Sequence, residues 1–506
     1  MQRENDLARN SKLVERLFVV LTLVAVCLVT SFSNPGFLDL PNHLARFYVM
    51  TRDFKSPFFN SIYETNFRLL PNVGVDVLMF GLGRLIDPGI ALRMILGAIV
   101  ALQCFGFLRL HRSFQKGAAS PLILLLPMTV ISYSFVLGFL NFSLALALLP
   151  WALSSIMRAR TQAWWISLIA WSTVLFFCHF FAWLIFAYLT LIWFVFGSGT
   201  KPQVKEVIGV VFVLAVYVAL YKLSPSSNEE SRIIWSSATD KFKFFFATFV
   251  FGPFWKPASA MFFSLIGALA VLRKIDVNRG AVTVLIATGV LFAICPMGLS
   301  IGGNFDARIP AIFFALLISL SSIRLTAQLR KATLVVSFLI TLLHFVACGA
   351  AMNRSNVEAA RARSILRIIP QNSIVTVLSL NFDQSTHRDT WYPNYNMLQF
   401  VGVPEKPMHV QGLFSYPTQQ PVLVKRNLQQ ALPIPMREKS GNVETRQADY
   451  KIWRENIAQR LVPLGFNKVY VFMVDHRSTS AKLEISDEIL FQDASYKLIV
   501  CDLSKG

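Results

Sequence analysis

Apolar residues in this chain gather into long runs separated by short polar turns, many of them basic. Eleven runs, at 17–34, 90–109, 119–137, 141–157, 163–178, 180–197, 205–222, 259–274, 281–298, 308–325 and 333–351, predict membrane-crossing helices. A helix needs about 20 apolar residues to span the hydrocarbon layer, and most of these runs come close to that length. Residues 73–86 (VGVDVLMFGLGRLI) form one more apolar stretch. It is short, and it carries Asp76 and Arg84, which are costly inside lipid.

Loop charge decides where that stretch belongs. Arg3, Arg9, Lys12 and Arg16 precede the first run. Further basic groups follow at alternate turns: Arg109, Arg112 and Lys116; Arg158 and Arg160; Lys201 and Lys205; Arg273 and Lys274; and Arg324, Arg330 and Lys331. Basic loops stay cytoplasmic. All these groups share one side only if 73–86 lies flat on the opposite surface as an interfacial helix. Eleven crossings then put the N-terminus in the cytoplasm and the tail outside.

The polar segments predict the remaining organisation. Loop 35–89 mixes charges and aromatics (Arg46, Phe47, Tyr48, Arg52, Asp53, Phe58, Phe59, Tyr63, Arg68), which suits surface helices. A second external stretch, 223–258, opens polar and continues as KFKFFFATFVFGPFW, an aromatic segment suited to the interface. From about 354 the pattern changes to helix 353–368, strand 373–381, helix 449–463 and strands 467–475 and 496–503, a small α/β arrangement. The fold class is therefore an α-helical polytopic membrane protein with an extracytoplasmic α/β domain. Residues 1–353 make the membrane domain and 354–506 the tail domain.

Composition agrees with this division. Of the residues, 54% are hydrophobic and only 15% charged, with mean hydropathy +0.52, outside the range of soluble domains. The net charge of +20 lies largely in short loops beside apolar runs, so it reads as topology and excludes nucleic acid as a partner. Basic residues in the external segments have anionic membrane lipids as natural partners. Five of the six Cys lie in apolar segments, so no disulfide framework or CxxC metal site is implied. No small-residue cleavage site follows the first run, which is read as a retained span.

Four places carry residues suited to chemistry. In FLDLPNHLAR (37–46), Pro41 can open a helix, and Asp39 and His43 stand four apart on one face. A carboxylate there can take a proton from a hydroxyl, hold a divalent cation or bind an acceptor; it can equally serve as a helix cap. In SYSFVLGFLNF (132–142), Gly138 permits a tight turn and Asn141 projects inward or caps a helix. His179 interrupts the apolar run 163–197 where two spans turn, either as a packing residue or in a polar cavity. In GGNFDARIP (302–310), Asp306 and Arg308 either pair locally or leave Arg308 to grip a phosphate. Together with Arg46, all of these residues fall on one membrane face in the predicted topology.

An acidic residue directly after the first span (Asp39 in DLPNHLAR), a long outer loop with surface helices and an external tail domain resemble the C-type (GT-C) membrane glycosyltransferases. The stretches GFLNFSLALAL, FFCHFFAW and FDAR are also similar to those of a bacterial group of membrane proteins. The resemblance implies transfer of a sugar from a polyprenyl-phosphate carrier to a lipid or glycan acceptor on the outer face of the inner membrane. By this resemblance Asp39 matches a first-loop acid that acts as base or binds acceptor or metal; the reading of the residues adds His43 to the catalytic set, with His43 or His179 assisting, and gives substrate binding to Arg46, Asn141, His179, Asp306 and Arg308. Arg46 or Arg68 would join Arg308 at the leaving phosphate. Asn141 stands where relatives often carry an acid, and an amide cannot act as a base. There is no adjacent acidic pair of the protein O-mannosyltransferase kind. A transporter or flippase for a lipid-linked precursor is the alternative, and it would show repeated halves or paired broken helices.

Overall fold

The computed structural model describes all of the chain except residues 1, 52–55, 67–70, 116–118, 158–161, 198–203, 225–232, 253, 299–302, 381–407, 411–421, 426–442, 476–486, 493–495 and 505–506. Arg68 and the loop cations Lys116, Arg158, Arg160 and Lys201 lie outside the described residues. Two compact units are formed. One comprises Met1–Ser33, Leu69–Val77 and Arg93–Met352; the other comprises Asn34–Arg68, Leu78–Leu92 and Asn353–Gly506.

In chain order the helices up to the last span are α1 (Gln2–Ser31), α2 (Leu40–Thr51), α3 (Pro57–Ile62), α4 (Gly74–Leu85), α5 (Pro88–Phe114), α6 (Leu126–Val130), α7 (Tyr133–Val136), α8 (Leu140–Ile156), α9 (Gln162–Cys178), α10 (Phe180–Ile192), α11 (Val204–Leu223), α12 (Ala238–Phe246), α13 (Trp255–Val271), α14 (Arg279–Ile294), α15 (Ile309–Leu320) and α16 (Ala327–Leu366). Every predicted apolar run contains a helix, so the chain is an α-helical polytopic membrane protein. Among the described residues, five helical segments are long and apolar enough to cross a bilayer by length and composition: Ser11–Ser31, Pro88–Phe114, Phe180–Gly197, Val204–Leu223 and Ala327–Leu366. The others are shorter. α11 buries only Val210 and Tyr217, and such an apolar surface belongs against lipid.

Where a run is not one clean helix, a local cause is visible. Pro121 and Pro127 lack backbone donors, and the run 119–137 breaks into a 3-10 turn (Pro121–Leu125), α6 and α7. The carbonyls of Leu124 and Ile131 in this broken stretch accept from Thr341 Oγ1 at 2.8 Å and His344 Nε2 at 2.9 Å. The run 308–325 stays helical only to Leu320. Its end becomes β3 (Ser321–Ile323), which pairs antiparallel with β2 (Ile275–Val277). The helix predicted at 353–368 is no separate element; it continues α16 without a break.

Hydrogen bonds group the loops as charge patterning predicts. Arg112 pairs with Glu15 at 2.8 Å, and Ala119 N donates to Ser11 Oγ at 2.9 Å. Arg330 donates to Ala119 O at 2.8 Å, and Arg324 pairs with Asp276 at 2.6 Å. The N-terminal segment and the loops near 112–119, 274–276 and 322–330 therefore lie on one side.

The second unit gathers the first outer loop and the tail. β1 (Tyr63–Thr65) pairs antiparallel with β6 (Val422–Val424), placing Tyr63 opposite Val424. Tyr63 OH also meets His409 Nδ1 at 2.6 Å, and Asn34 N donates to Asn356 Oδ1 at 3.2 Å. The other tail strands are β4 (Ser373–Leu380), β5 (Met408–Val410), β7 (Lys468–Asp475), β8 (Glu488–Gln492) and β9 (Tyr496–Asp502). They form one sheet in the order β5-β4-β7-β9-β8, parallel between β5, β4 and β7 and antiparallel beyond. Ile374, Val375, Val471, Phe472, Leu498 and Ile499 are buried in it. α17 (Val443–Leu461) is pinned to the sheet by Arg454, whose Nε donates to Asp487 at 3.1 Å and whose Nη2 donates to Asp502 O at 3.0 Å.

Strands that share backbone hydrogen bonds lie on the same side of a membrane, so an even number of crossings separates β1 from β6. The ten apolar runs from 90–109 to 333–351 satisfy this, and adding 73–86 would not. α4 has 12 residues, about 18 Å against a hydrocarbon layer of about 30 Å. Single cysteines at Ser61 and after Gly506, in an otherwise cysteine-free chain, should react with an impermeant maleimide from the same face of sealed vesicles. Labelling from opposite faces would mean that α4 crosses.

Candidate functional site

On the other face of the first unit, the loops are joined by polar and aromatic contacts. Two residues before α4 stands Asn72, whose left-handed backbone (φ 67°) asparagine tolerates. Its Oδ1 accepts from Phe180 N at 2.8 Å, and Val73 N donates to Phe177 O at 2.9 Å. Gly74 follows because a Cβ there would stand 2.9 Å from the Cys178 Cα. Asn141, near the start of α8, completes the clamp: its Oδ1 accepts from Val75 N at 2.7 Å, and its Nδ2 donates to Asn72 O and to Asp76 Oδ2, the latter at 2.9 Å. Asp76 is 2% exposed, a carboxylate in the first turn of α4, where the helix dipole favours it.

His179 sits where α9 ends and α10 begins. Its extended backbone ends one helix, and its Nδ1 accepts from Phe181 N at 3.2 Å, capping the next. The ring meets Phe142 edge-on with centroids 5.2 Å apart. Phe142 also lies under the Arg308 guanidinium, 4.9 Å from its ring centroid, with Phe139 at 4.0 Å and Phe305 at 5.1 Å. Arg308 Nη2 donates to Gly303 O at 2.9 Å. Three aromatic faces around a guanidinium only 4% exposed make a cation–π seat. Asp306 is fully buried; its Oδ2 accepts from Ser236 Oγ at 2.6 Å and its Oδ1 from Ala307 N at 2.8 Å. Lys241 closes the neighbouring helix end, donating to the carbonyls of Phe292, Ala293 and Cys295.

Four predicted residues, Asn141, His179, Asp306 and Arg308, thus belong to one connected cluster. Two features went unremarked in the sequence. Asp76 figures there only as an argument against a span, although an acid inside an apolar stretch is itself a signal. The aromatic seat around Arg308 has no linear signature, since Phe139 and Phe142 lie far from Phe305 in sequence.

The other three predicted residues stand on α2 or directly before it, in the second unit. Asp39 is half-buried at the helix start, its carbonyl accepting from His43 N at 3.1 Å. Arg46 is 1% exposed, and its Nη2 lies 2.8 Å from His43 Nδ1. His43 stacks on Phe47 with centroids 6.0 Å apart. Burial first, and the adjacent Arg46 guanidinium second, push the imidazole well below its ordinary pKa. Among the described residues, no three His, Cys, Asp or Glu side chains gather as a metal-binding set.

The architecture matches that of solved proteins. A crystal structure of ArnT from Cupriavidus metallidurans in the apo state superposes with TM-score 0.52, covering 96% of this chain and 97% of that one at 11% identity. A second, of the same protein bound to undecaprenyl phosphate, gives TM-score 0.50 with the same coverage and identity. The chain shares the GT-C fold of these structures. No family model matches it, and no curated protein matches it significantly.

Asn141 is the joint of the α4 clamp, and alanine there should be costly. Losing its bonds to Val75 and Asp76 is expected to destabilise the protein by about 2–3 kcal/mol, the scale for a buried charged group deprived of a partner. Asn141→Asp should also destabilise at neutral pH, because an ionised carboxylate cannot donate to Asp76. Thermal unfolding in detergent, followed by tryptophan fluorescence, checks this; melting unchanged from the parent in both variants would refute the clamp.

Proposed function

We propose that the protein is a membrane glycosyltransferase that moves a sugar from a polyprenyl-phosphate donor to a lipid or glycan acceptor at the outer face of a bacterial inner membrane. The observation that carries this reading is the near full-length match to a GT-C fold, one instance of which holds undecaprenyl phosphate. Asp39, in the first outer loop, supplies the carboxylate such a reaction requires. The N-terminus is assigned to the cytoplasm and the tail domain to the periplasm, as the basic loops require.

In this scheme the acceptor oxygen attacks the anomeric carbon of the sugar. The bond from that carbon to the phosphate oxygen breaks, with inversion, and polyprenyl phosphate leaves. Asp39 takes the proton that the acceptor hydroxyl loses. Arg308, a planar cation with several donors, stabilises the charge that grows on the departing phosphate. The flippase alternative requires no base at all, and that difference makes the two readings separable.

Asp39→Asn keeps the size and capping capacity of the side chain but removes its basicity. Released polyprenyl phosphate, measured in proteoliposomes supplied with undecaprenyl-phosphate hexoses and pentoses and with lipid acceptors, should fall by roughly 100-fold or more. Insertion and melting should stay close to those of the parent. Undiminished release would remove Asp39 from catalysis, whereas no release by the parent protein would favour the flippase.

A further inference from the structure

We propose that Arg46 is a positioning residue that fixes His43 as the tautomer protonated on Nε2, so that His43 serves as a hydrogen-bond donor and proton removal falls to Asp39 alone. The inference rests on the reading of α2 as the element that handles the acceptor. It gives His43 the specific role of a fixed donor beside the base.

The contact between the two side chains allows only one assignment. A guanidinium carries five N–H donors and no acceptor, and it stays protonated in proteins. Across 2.8 Å, Nη2 of Arg46 can therefore only donate, and Nδ1 of His43 can only present its lone pair. A neutral imidazole holds one proton, which must then sit on Nε2. A second proton, on Nδ1, would set two N–H groups against each other beside a full positive charge. The ring is held in this state by its surroundings. Arg46 is 1% exposed, its guanidinium lies 5.5 Å over the Phe47 ring, and His43 stacks on the same ring at an interplanar angle of 28°. Phe47 itself is fully buried. Three side chains at i, i+3 and i+4 on one helix thus lock one another's rotamers. The charged residues of this stretch are Arg46 itself and Asp39, seven residues earlier and directly before α2.

The chemical consequence is a division of labour. A hydroxyl acceptor offers both a proton and lone pairs. Asp39, which when ionised can only accept hydrogen bonds, suits the proton; a fixed Nε2–H suits a lone pair and orients the oxygen. His43 keeps its proton throughout the transfer, and the proton released as the new bond to carbon forms goes to Asp39.

Long-range 1H–15N spectra of the full chain in nanodiscs, with 15N-labelled histidine, test this independently of any transfer assay. The His43 signals are assigned by their loss in His43→Gln. The expected wild-type pattern is a protonated Nε2 and a bare Nδ1, unchanged from about pH 8 down to about pH 5.5, below the ordinary histidine range. Arg46→Lys, which keeps a donor and a charge, should retain the pattern. Arg46→Met should let His43 sample both tautomers and titrate nearer its ordinary value. A wild-type His43 protonated on Nδ1, or titrating near pH 6.5, would overturn the proposal, as would an Arg46→Met spectrum identical to wild type. Should Arg46→Met fail to fold, the wild-type spectrum decides alone. Absence of polyprenyl-phosphate release by the parent protein would refute the enzymatic reading while leaving this tautomer result intact, so the two failures are distinguishable.

Discussion

Hydrocarbon offers no partner to a backbone amide, so each break in a membrane helix has to be satisfied by the protein itself. In this chain one such break coincides with residues that invite a functional reading. Where α9 stops and α10 begins, Phe180 N and Phe181 N are taken by Asn72 and His179. Where the run 119–137 comes apart, Thr341 and His344 reach across to the exposed carbonyls. The polar residues of the outer face are thus structural before they are chemical. His179 uses its Nδ1 as a cap, and Asn141 uses both ends of its amide to hold α4.

That double duty explains which parts of the fold were legible in the sequence. Helical runs were readable because lipid demands length and apolarity at every position, and the basic loops reported sidedness through their charge. The placement of 73–86 followed from loop charge together with its shortness and its two ionisable residues, and the pairing of β1 with β6 now gives it a geometric reason. Element ends were less legible. Nothing local marks the switch from α15 to β3 at Ser321, because the partner strand at 275–277 is distant in sequence. The three-residue strands β1, β5 and β6 are too short to show alternation, and they exist only through long-range pairing.

The site divides in the same way. Asp39, His43 and Arg46 lie within eight residues of one another, so helical spacing sufficed to place them on one face. The Nδ1 contact that separates their roles could not be read from spacing. Asn141, His179, Asp306 and Arg308 were collected only by topology, and topology cannot say what each side chain touches. The sequence left open whether Asp306 and Arg308 pair locally or Arg308 serves a phosphate; the structure shows Asp306 accepting from Ser236 and Arg308 resting among three phenylalanine rings.

The central claim is that this GT-C fold works on a polyprenyl-phosphate carrier. Native mass spectrometry of the purified protein, released from detergent with equal amounts of undecaprenyl phosphate and undecaprenol, addresses it without knowledge of the sugar. The account predicts retention of the phosphorylated lipid over the alcohol, and loss of that preference in Arg308→Gln. Equal retention of the two lipids by the wild-type protein would contradict it.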